Sequence, residues 1–422
     1  MRILRPWLAG FAALWAAFVI GLPAGAQTCQ SFPPPGVARM PLQLTPVTLQ
    51  ILQASLIPVP GTDGFIHLAY AGQVTNLDHG AAVFTQIRPV DPLHGFAAVG
   101  ESGVMDMDGN DITGTVRSFA VPPQSGIDPA RGLDVKQLPG GAAGIVFFDV
   151  RFTTKLAVPA FLSERLVVRL SGGKPPIDER TEPVPVGCLS PVVISPPLVG
   201  PRWWDANGCC RVISPHRGAT LPINGRIRVP EQFAIDFVQL TATGACCTGP
   251  IKDLKSWTSF GAPVLVVADG VVVEKVDGMP EQVPGQVKGI TAQNAAGNHV
   301  IEDIGQGRYV LYAHLGTNSI PRDIVVGATL KRGTRIGTVG NTGSSTAPHL
   351  HFQVMDSPSV LDANGLPFVF DRQLLEGAVS GTANQVNTAY ESAALVKVVV
   401  MPPSPQVNRM PIEGQIFDYG GK

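Results

Sequence analysis

Short apolar runs that alternate with a period of two dominate this chain, and runs with a helical repeat are scarce. Phe65-Ile66-His67-Leu68-Ala69-Tyr70, Gly144-Ile145-Val146-Phe147-Phe148-Asp149-Val150 and Arg165-Leu166-Val167-Val168-Arg169-Leu170 are rich in β-branched and aromatic residues. Turn signals separate such runs: Gly61-Thr62-Asp63-Gly64, Asp108-Gly109-Asn110 and Pro139-Gly140-Gly141. Over residues 27–190 this pattern predicts a β-sandwich, immunoglobulin-like in shape. The proline-rich, apolar stretch that follows predicts a semi-rigid connector or extended strand over 191–202. Alternation resumes over 203–375. There Val264 to Val273 reads as strand, tight turn, strand, and Asn298 to Leu315 as a hairpin closing at Gly305-Gln306-Gly307. Val325 to Gly337 reads as a further strand–turn–strand. Residues 376–422 hold one more strand, over Ala394 to Met401, and then a proline-rich tail. The fold class is mostly β, in two domains.

The first residues depart from this pattern. Arg2 and Arg5 precede an apolar run from Trp7 to Leu22, and Ala24-Gly25-Ala26 supplies small residues for cleavage. Residues 1–26 therefore read as a secretory signal, and the mature chain is expected to be exported, to the periplasm or the extracellular space. Nothing after Ala26 is long and apolar enough to span a bilayer. The formal net charge is −1, which gives no electrostatic case for nucleic acid or an anionic membrane surface.

In an exported chain the six cysteines suggest disulfides. Cys29 and Cys188 bracket the N-terminal half as if to staple it. The doublets Cys209-Cys210 and Cys246-Cys247 flank a segment containing His216 and Asp236, and can bridge to each other, with the pairing inside the doublets left open. A zinc site made of four cysteines is the competing reading, but the Cys-x-x-Cys spacing is absent.

The strongest chemical signal is Pro348-His349-Leu350-His351-Phe352-Gln353-Val354. Residues two apart on a strand point the same way, so His349 and His351 project side by side. Two imidazoles on one face can bind one metal, or one can bind it while the other moves protons. His67, His79 and His94 have no ligand spacing and read as ordinary strand or loop residues. His299 reads as packing against its hairpin, and Trp203-Trp204 as core. Asp106 to Asp111 superficially resembles a calcium loop, but it lacks the glycine at the sixth position and a well-placed closing Glu, so a hairpin turn is expected.

Residues from Trp203 to Phe370 resemble the lysostaphin/LytM-type zinc metallopeptidases, which cut cross-links in peptidoglycan. The likeness rests on Phe233-Ala234-Ile235-Asp236-Phe237, the Val-Ala-Asp-Gly-Val hairpin, Tyr312-Ala313-His314-Leu315, and Gly340-Asn341-Thr342-Gly343 running to His349-Leu350-His351-Phe352. It implies a LytM-like peptidase domain over 203–375, with Asp236 and His351 as Zn2+ ligands and His314 and His349 as catalytic histidines. The family usually places its remaining ligand four residues before the aspartate, where this chain has Gln232. His216, in the same cysteine-flanked segment, is the residue that can fold back to replace it, as in relatives with the same arrangement.

The implied function is an exported zinc metalloendopeptidase acting on peptidoglycan stem-peptide cross-links, with zinc-bound water as nucleophile. His349 would take its proton, and His314 would hydrogen-bond the developing oxyanion. Asn341 would orient the histidine loop. The alternative is a catalytically inactive LytM-like domain that acts as a binding or regulatory module for another cell-wall hydrolase. The glycine pattern around Lys331-Arg332-Gly333 also resembles biotinyl/lipoyl domains, but no carrier lysine occupies the turn Ala268-Asp269-Gly270.

Overall fold

A computed structural model describes residues 44–103, 116–118, 134–135, 137–173, 175–210, 214–381 and 383–420. The expected signal segment, Cys29 and the Asp106–Asp111 turn lie outside them. Among the described residues no helix is long and apolar enough to cross a membrane. The chain is mostly β, as its alternation predicts.

Two antiparallel sheets form the N-terminal half. One is centred on Ile66–Asn76 paired with Ala143–Phe152, and the other on Ala82–Asp91 paired with Phe161–Leu170. Leu68, Tyr70, Val146 and Phe148 from the first sheet meet Phe84, Ile87, Leu166 and Val168 from the second in one apolar core. Into that core projects Glu164, fully buried, accepting a hydrogen bond from Tyr70 Oη. Burial pushes the Glu164 carboxyl from its ordinary 4.5 up to about 8, against the lowering effect of the Tyr70 bond. A carboxyl raised on folding contributes stability below its unfolded pKa and loses it as pH climbs through the folded value. The expected loss is about 1.4 kcal/mol per pH unit across that window. Glu164→Gln should therefore flatten the thermal midpoint measured from pH 5 to 9, and should exceed the parent protein at the alkaline end.

The C-terminal half is built on one sheet of 11 strands. Its centre runs Asn298–Asp303, Tyr309–Leu315, Leu350–Met355, Ile235–Gln239, Trp203–Ala206, each antiparallel to the next. The Gly305-Gln306-Gly307 hairpin forms as expected. The other two strand–turn–strand readings need correction. Pro263–Leu265 pairs with Arg335–Thr338, and Gly270–Val276 pairs with Asn298–Asp303 and Thr329–Leu330, so neither turn closes a hairpin. Alternation marks which face a residue takes, but it does not name the partner strand.

The segment after 375 also carries more than a strand and a tail. Gln373–Val379, Val398–Gln406 and Gln415–Asp418 extend the same sheet, the last lying against Trp203–Ala206. The connector contributes Val192–Ile194, parallel to Phe368–Phe370.

Ile235, Phe237, Leu350, Phe352, Tyr312 and Trp203 fill the core on one face of the large sheet. The other face is divided. Trp204, Val238, Ala347, Trp257 and Ile416 cover one side of it, and Ala296, Leu311, Ala313 and Met355 cover the other. The histidines and Asp236 belong to this second face.

Candidate metal centre

Register builds the site. Asp236 lies opposite His351 on one neighbour and Ala206 on the other, and His351 lies opposite Ala313. Residues directly opposite share a face, so Asp236 and His351 stand together while Ile235, Phe237 and Phe352 point into the core. His349, two residues before His351, joins them.

His314 follows Ala313 and should point into the core by simple alternation. It does not. Between the pairs Asn298↔Leu315 and Val300↔Tyr312 the Tyr309–Leu315 strand carries one residue more than its partner, a bulge. Within it His314 has φ of 59°, left-handed backbone that non-glycine residues rarely adopt. This turn brings its ring to 4.8 Å from His349 and 5.7 Å from His351, centroid to centroid.

His216 comes from the four-residue turn Pro215–Gly218, capped by Ser214 Oγ accepting from Arg217 N. Its Nε2 lies 3.1 Å from Asp236 Oδ2 and its ring 4.8 Å from that of His351. His351 Nδ1 lies 3.0 Å from Asp236 Oδ1. One ligand atom each from His216, Asp236 and His351 falls within 4.8 Å of the others. Asn207 Nδ2 donates to Asp236 Oδ2 at 2.9 Å.

The outward nitrogens are all committed. His216 Nδ1 donates to Ala234 O at 3.1 Å, and His351 Nε2 meets Gln353 Oε1 at 2.9 Å. His349 Nδ1 donates to Ala347 O at 2.8 Å and lies 3.3 Å from Ser345 Oγ. His314 Nδ1 donates to Thr342 O at 2.8 Å. A carbonyl oxygen can only accept, so these bonds place a proton on Nδ1 of His216, His349 and His314; Nε2 of His216 and of His349 then faces Asp236, at 3.1 and 3.3 Å, while Nε2 of His314 is the acceptor in its neutral ring. Ser345 Oγ in turn donates to Asn341 Oδ1 at 2.7 Å.

Electrostatics follow from burial and from one carboxylate. Burial opposes charge on Asp236, but His216 and His349 beside it hold its carboxyl well below the usual range. Against the same burial penalty, Asp236 pushes His216 up to about 9 and raises His349. His314 is held well below 6.5 by burial and by its imidazole neighbours, which outweigh the raising effect of Asp236.

The donor set suits a divalent transition metal. Two imidazoles and a carboxylate on one face, with each imidazole's other nitrogen bound to protein, is the arrangement that holds zinc with an open position. Gln232 takes no part. Its Nε2 donates to Ala69 O at 2.6 Å and its Oε1 accepts from Gln53, both in the N-terminal half.

Elsewhere, His67 lies between Asp63 (3.1 Å) and Asp149 (2.9 Å), with Cys210 close by. Both of its ring nitrogens face carboxylates, and burial notwithstanding, those carboxylates push it up to about 9, which makes this an ion triad. His299 packs on its hairpin through Gly297 O and Glu274.

The cysteine doublets do not bridge to each other. Cys209 and Cys210 are joined to one another, and Cys246 and Cys247 are buried free thiols. Cys188 is disulfide-bonded, while Cys29, its expected partner, lies outside the described residues. Sequence reading missed Asn207, Ser345 and Gln353 as partners of the site. The spacing of Gln353, two residues after His351 on the same strand face, is the one signal that could have found any of them.

Residues 254–363 match the model of peptidase family M23. His314, His349 and His351 fall within that match, and His216 and Asp236 precede it. The chain is 36% identical over 104 residues to an uncharacterized metalloprotease of Haemophilus influenzae, which covers 25% of this chain and 18% of that protein. It is 35% identical over 96 residues to the peptidoglycan DD-endopeptidase ShyA of Vibrio cholerae, covering 23% of this chain and 18% of that protein. The chain thus spans about a fifth of the length of these curated relatives. Among solved structures, the catalytic domain of lysostaphin from Staphylococcus simulans is 26% identical and covers 34% of this chain and 80% of its own, with a TM-score of 0.20, an overlap too small to support an inference. Over residues 254–363 the chain is thus similar in sequence to peptidase family M23 and to proteins described as metalloprotease and endopeptidase.

Proposed function

We propose that the protein is an exported zinc metalloendopeptidase that hydrolyses peptide cross-links of peptidoglycan. The observation that carries this is the convergence of His216, Asp236 and His351 within 4.8 Å, beside two further imidazoles. His216, Asp236 and His351 would hold the zinc, which would supply a Lewis acid for the scissile carbonyl and for water. The chain's own residues do the rest. His349, with Nδ1–H on Ala347 O, presents Nε2 as the base that takes the proton of the attacking water and returns it to the leaving amine.

The resemblance assigns His314 to the oxyanion, and its hydrogen bond modifies that role. With Nδ1–H committed to Thr342 O, neutral His314 presents an acceptor at Nε2, and it can donate only as imidazolium. Held neutral by burial, it is better suited to orienting the attacking water and sharing its proton with His349.

The similarity to a peptidoglycan endopeptidase supports the cell-wall substrate, and the signal-like N-terminus supports export to where cross-links lie. Retention of both extra histidines in working orientation favours an enzyme over an inactive module for another hydrolase. Zinc content and peptide release from purified sacculi test this together. About one zinc per chain and released peptides are expected in the parent protein, with both lost in His351→Ala. Zinc-free protein that releases nothing would leave the binding-module reading standing.

A further inference from the structure

The turn carrying His216 is short, and a single helical turn has little stability of its own. Its anchor is the next residue. Arg217 is 1% exposed, although it is an arginine, and its guanidinium reaches across into the N-terminal half. Nη2 donates to Phe148 O at 2.7 Å and approaches Tyr70 O at 3.4 Å, while Nη1 donates to Cys210 O at 2.8 Å. Tyr70 and Phe148 are cross-strand partners in the N-terminal sheet, with rings stacked at 4.6 Å, and the guanidinium also lies over Phe147. Hydrogen bonds from an ionised donor are about twice as strong as neutral ones.

The position that would carry the family's usual ligand is spent on the same strand. Gln232 donates to Ala69 O, one residue from Tyr70. Position 232 and the turn that carries His216 are thus both tied to the N-terminal sheet, through Gln232 and Arg217.

We propose that the N-terminal sheet is a working part of the metal centre, and that Arg217 is the positioning residue through which it holds His216 against Asp236. This rests on the zinc reading above. Zinc ligation tolerates displacements of only about 0.2 Å, so a ligand on a short turn needs such an anchor. The N-terminal half then does more than tether or recruit: without it docked, one ligand of three keeps only the Ala234 bond and the Ser214 cap to hold it in place.

The test compares zinc affinity in the full mature protein, by competition with a chromophoric chelator, and the visible spectrum of the cobalt-substituted form. Arg217→Met should weaken zinc binding about 10–100-fold, the range seen when supporting contacts of a ligand are lost, and should alter the cobalt bands. Arg409→Ala is the control. It cuts another contact between the halves, Arg409 Nη1 to Gly61 O at 3.0 Å, and should lower thermal stability while leaving zinc affinity and the cobalt spectrum as in the parent. If Arg217→Met fails to fold, Arg217→Lys, which keeps the charge but not the fork, makes the same comparison. A folded Arg217 variant with parental affinity and spectrum overturns the inference alone. A parent protein that takes up no zinc overturns the zinc reading, and this inference with it.

Discussion

Replacing His216 with alanine should empty the metal centre. His216 Nε2 is 3.1 Å from Asp236 Oδ2, and no other described side chain stands where the family's usual histidine would be, since Gln232 is turned away towards Ala69. Asp236 and His351 alone offer two ligand atoms, too few for a hydrolytic zinc site, which takes three protein ligands and keeps one position open. The expected result is zinc content falling from about one per chain to near zero, with sacculus hydrolysis reduced by at least about 10³-fold. Folding should survive, because the core on the opposite sheet face, with Phe237, Phe352 and Phe368, is untouched. Gln232→His is not expected to rescue the variant, as that side chain faces the N-terminal sheet. Metal analysis and far-ultraviolet circular dichroism on the same samples check each part.

The second large effect separates metal binding from proton transfer. His349→Ala should retain zinc, because its imidazole lies outside the closest triad, and should lose about 10²–10⁴ in kcat, the usual worth of a positioned base. His314→Ala should also keep its metal, with a smaller loss, if His314 orients and shares a proton. Measuring kcat with zinc occupancy held at saturation distinguishes these from His216→Ala. Loss of zinc from His349→Ala would instead make His349 a ligand.

Much of this was legible in the chain itself. The alternation Leu350, Phe352, Val354 against His349, His351 fixes which residues face the core, because a strand has only two faces. Asp236 within Phe233-Ala234-Ile235-Asp236-Phe237 follows the same logic. His314 was legible as a site residue but not in its orientation, since a bulge and a left-handed φ oppose the alternation that sequence reading relies on. Pairing was the weakest point. Val264 to Val273 looks like a hairpin because its turn is tight, yet its two strands join different sheets. The cysteine doublets mislead similarly, as adjacency in sequence says nothing about which sulfurs meet. The anchor through Arg217 and the turned-away Gln232 depend on contacts 69 and 163 residues apart, which no local pattern encodes.

One zinc bound by two imidazoles and a carboxylate has a distinct X-ray signature. X-ray absorption at the zinc edge of the loaded, full-length protein tests it most directly. The expected result is a first shell of nitrogen and oxygen at about 2.0–2.1 Å, with outer scattering from two imidazoles, reduced to one in His216→Ala at any residual zinc. A sulfur shell at about 2.3 Å, drawing on Cys246 and Cys247, or a single imidazole in the parent protein, would contradict it.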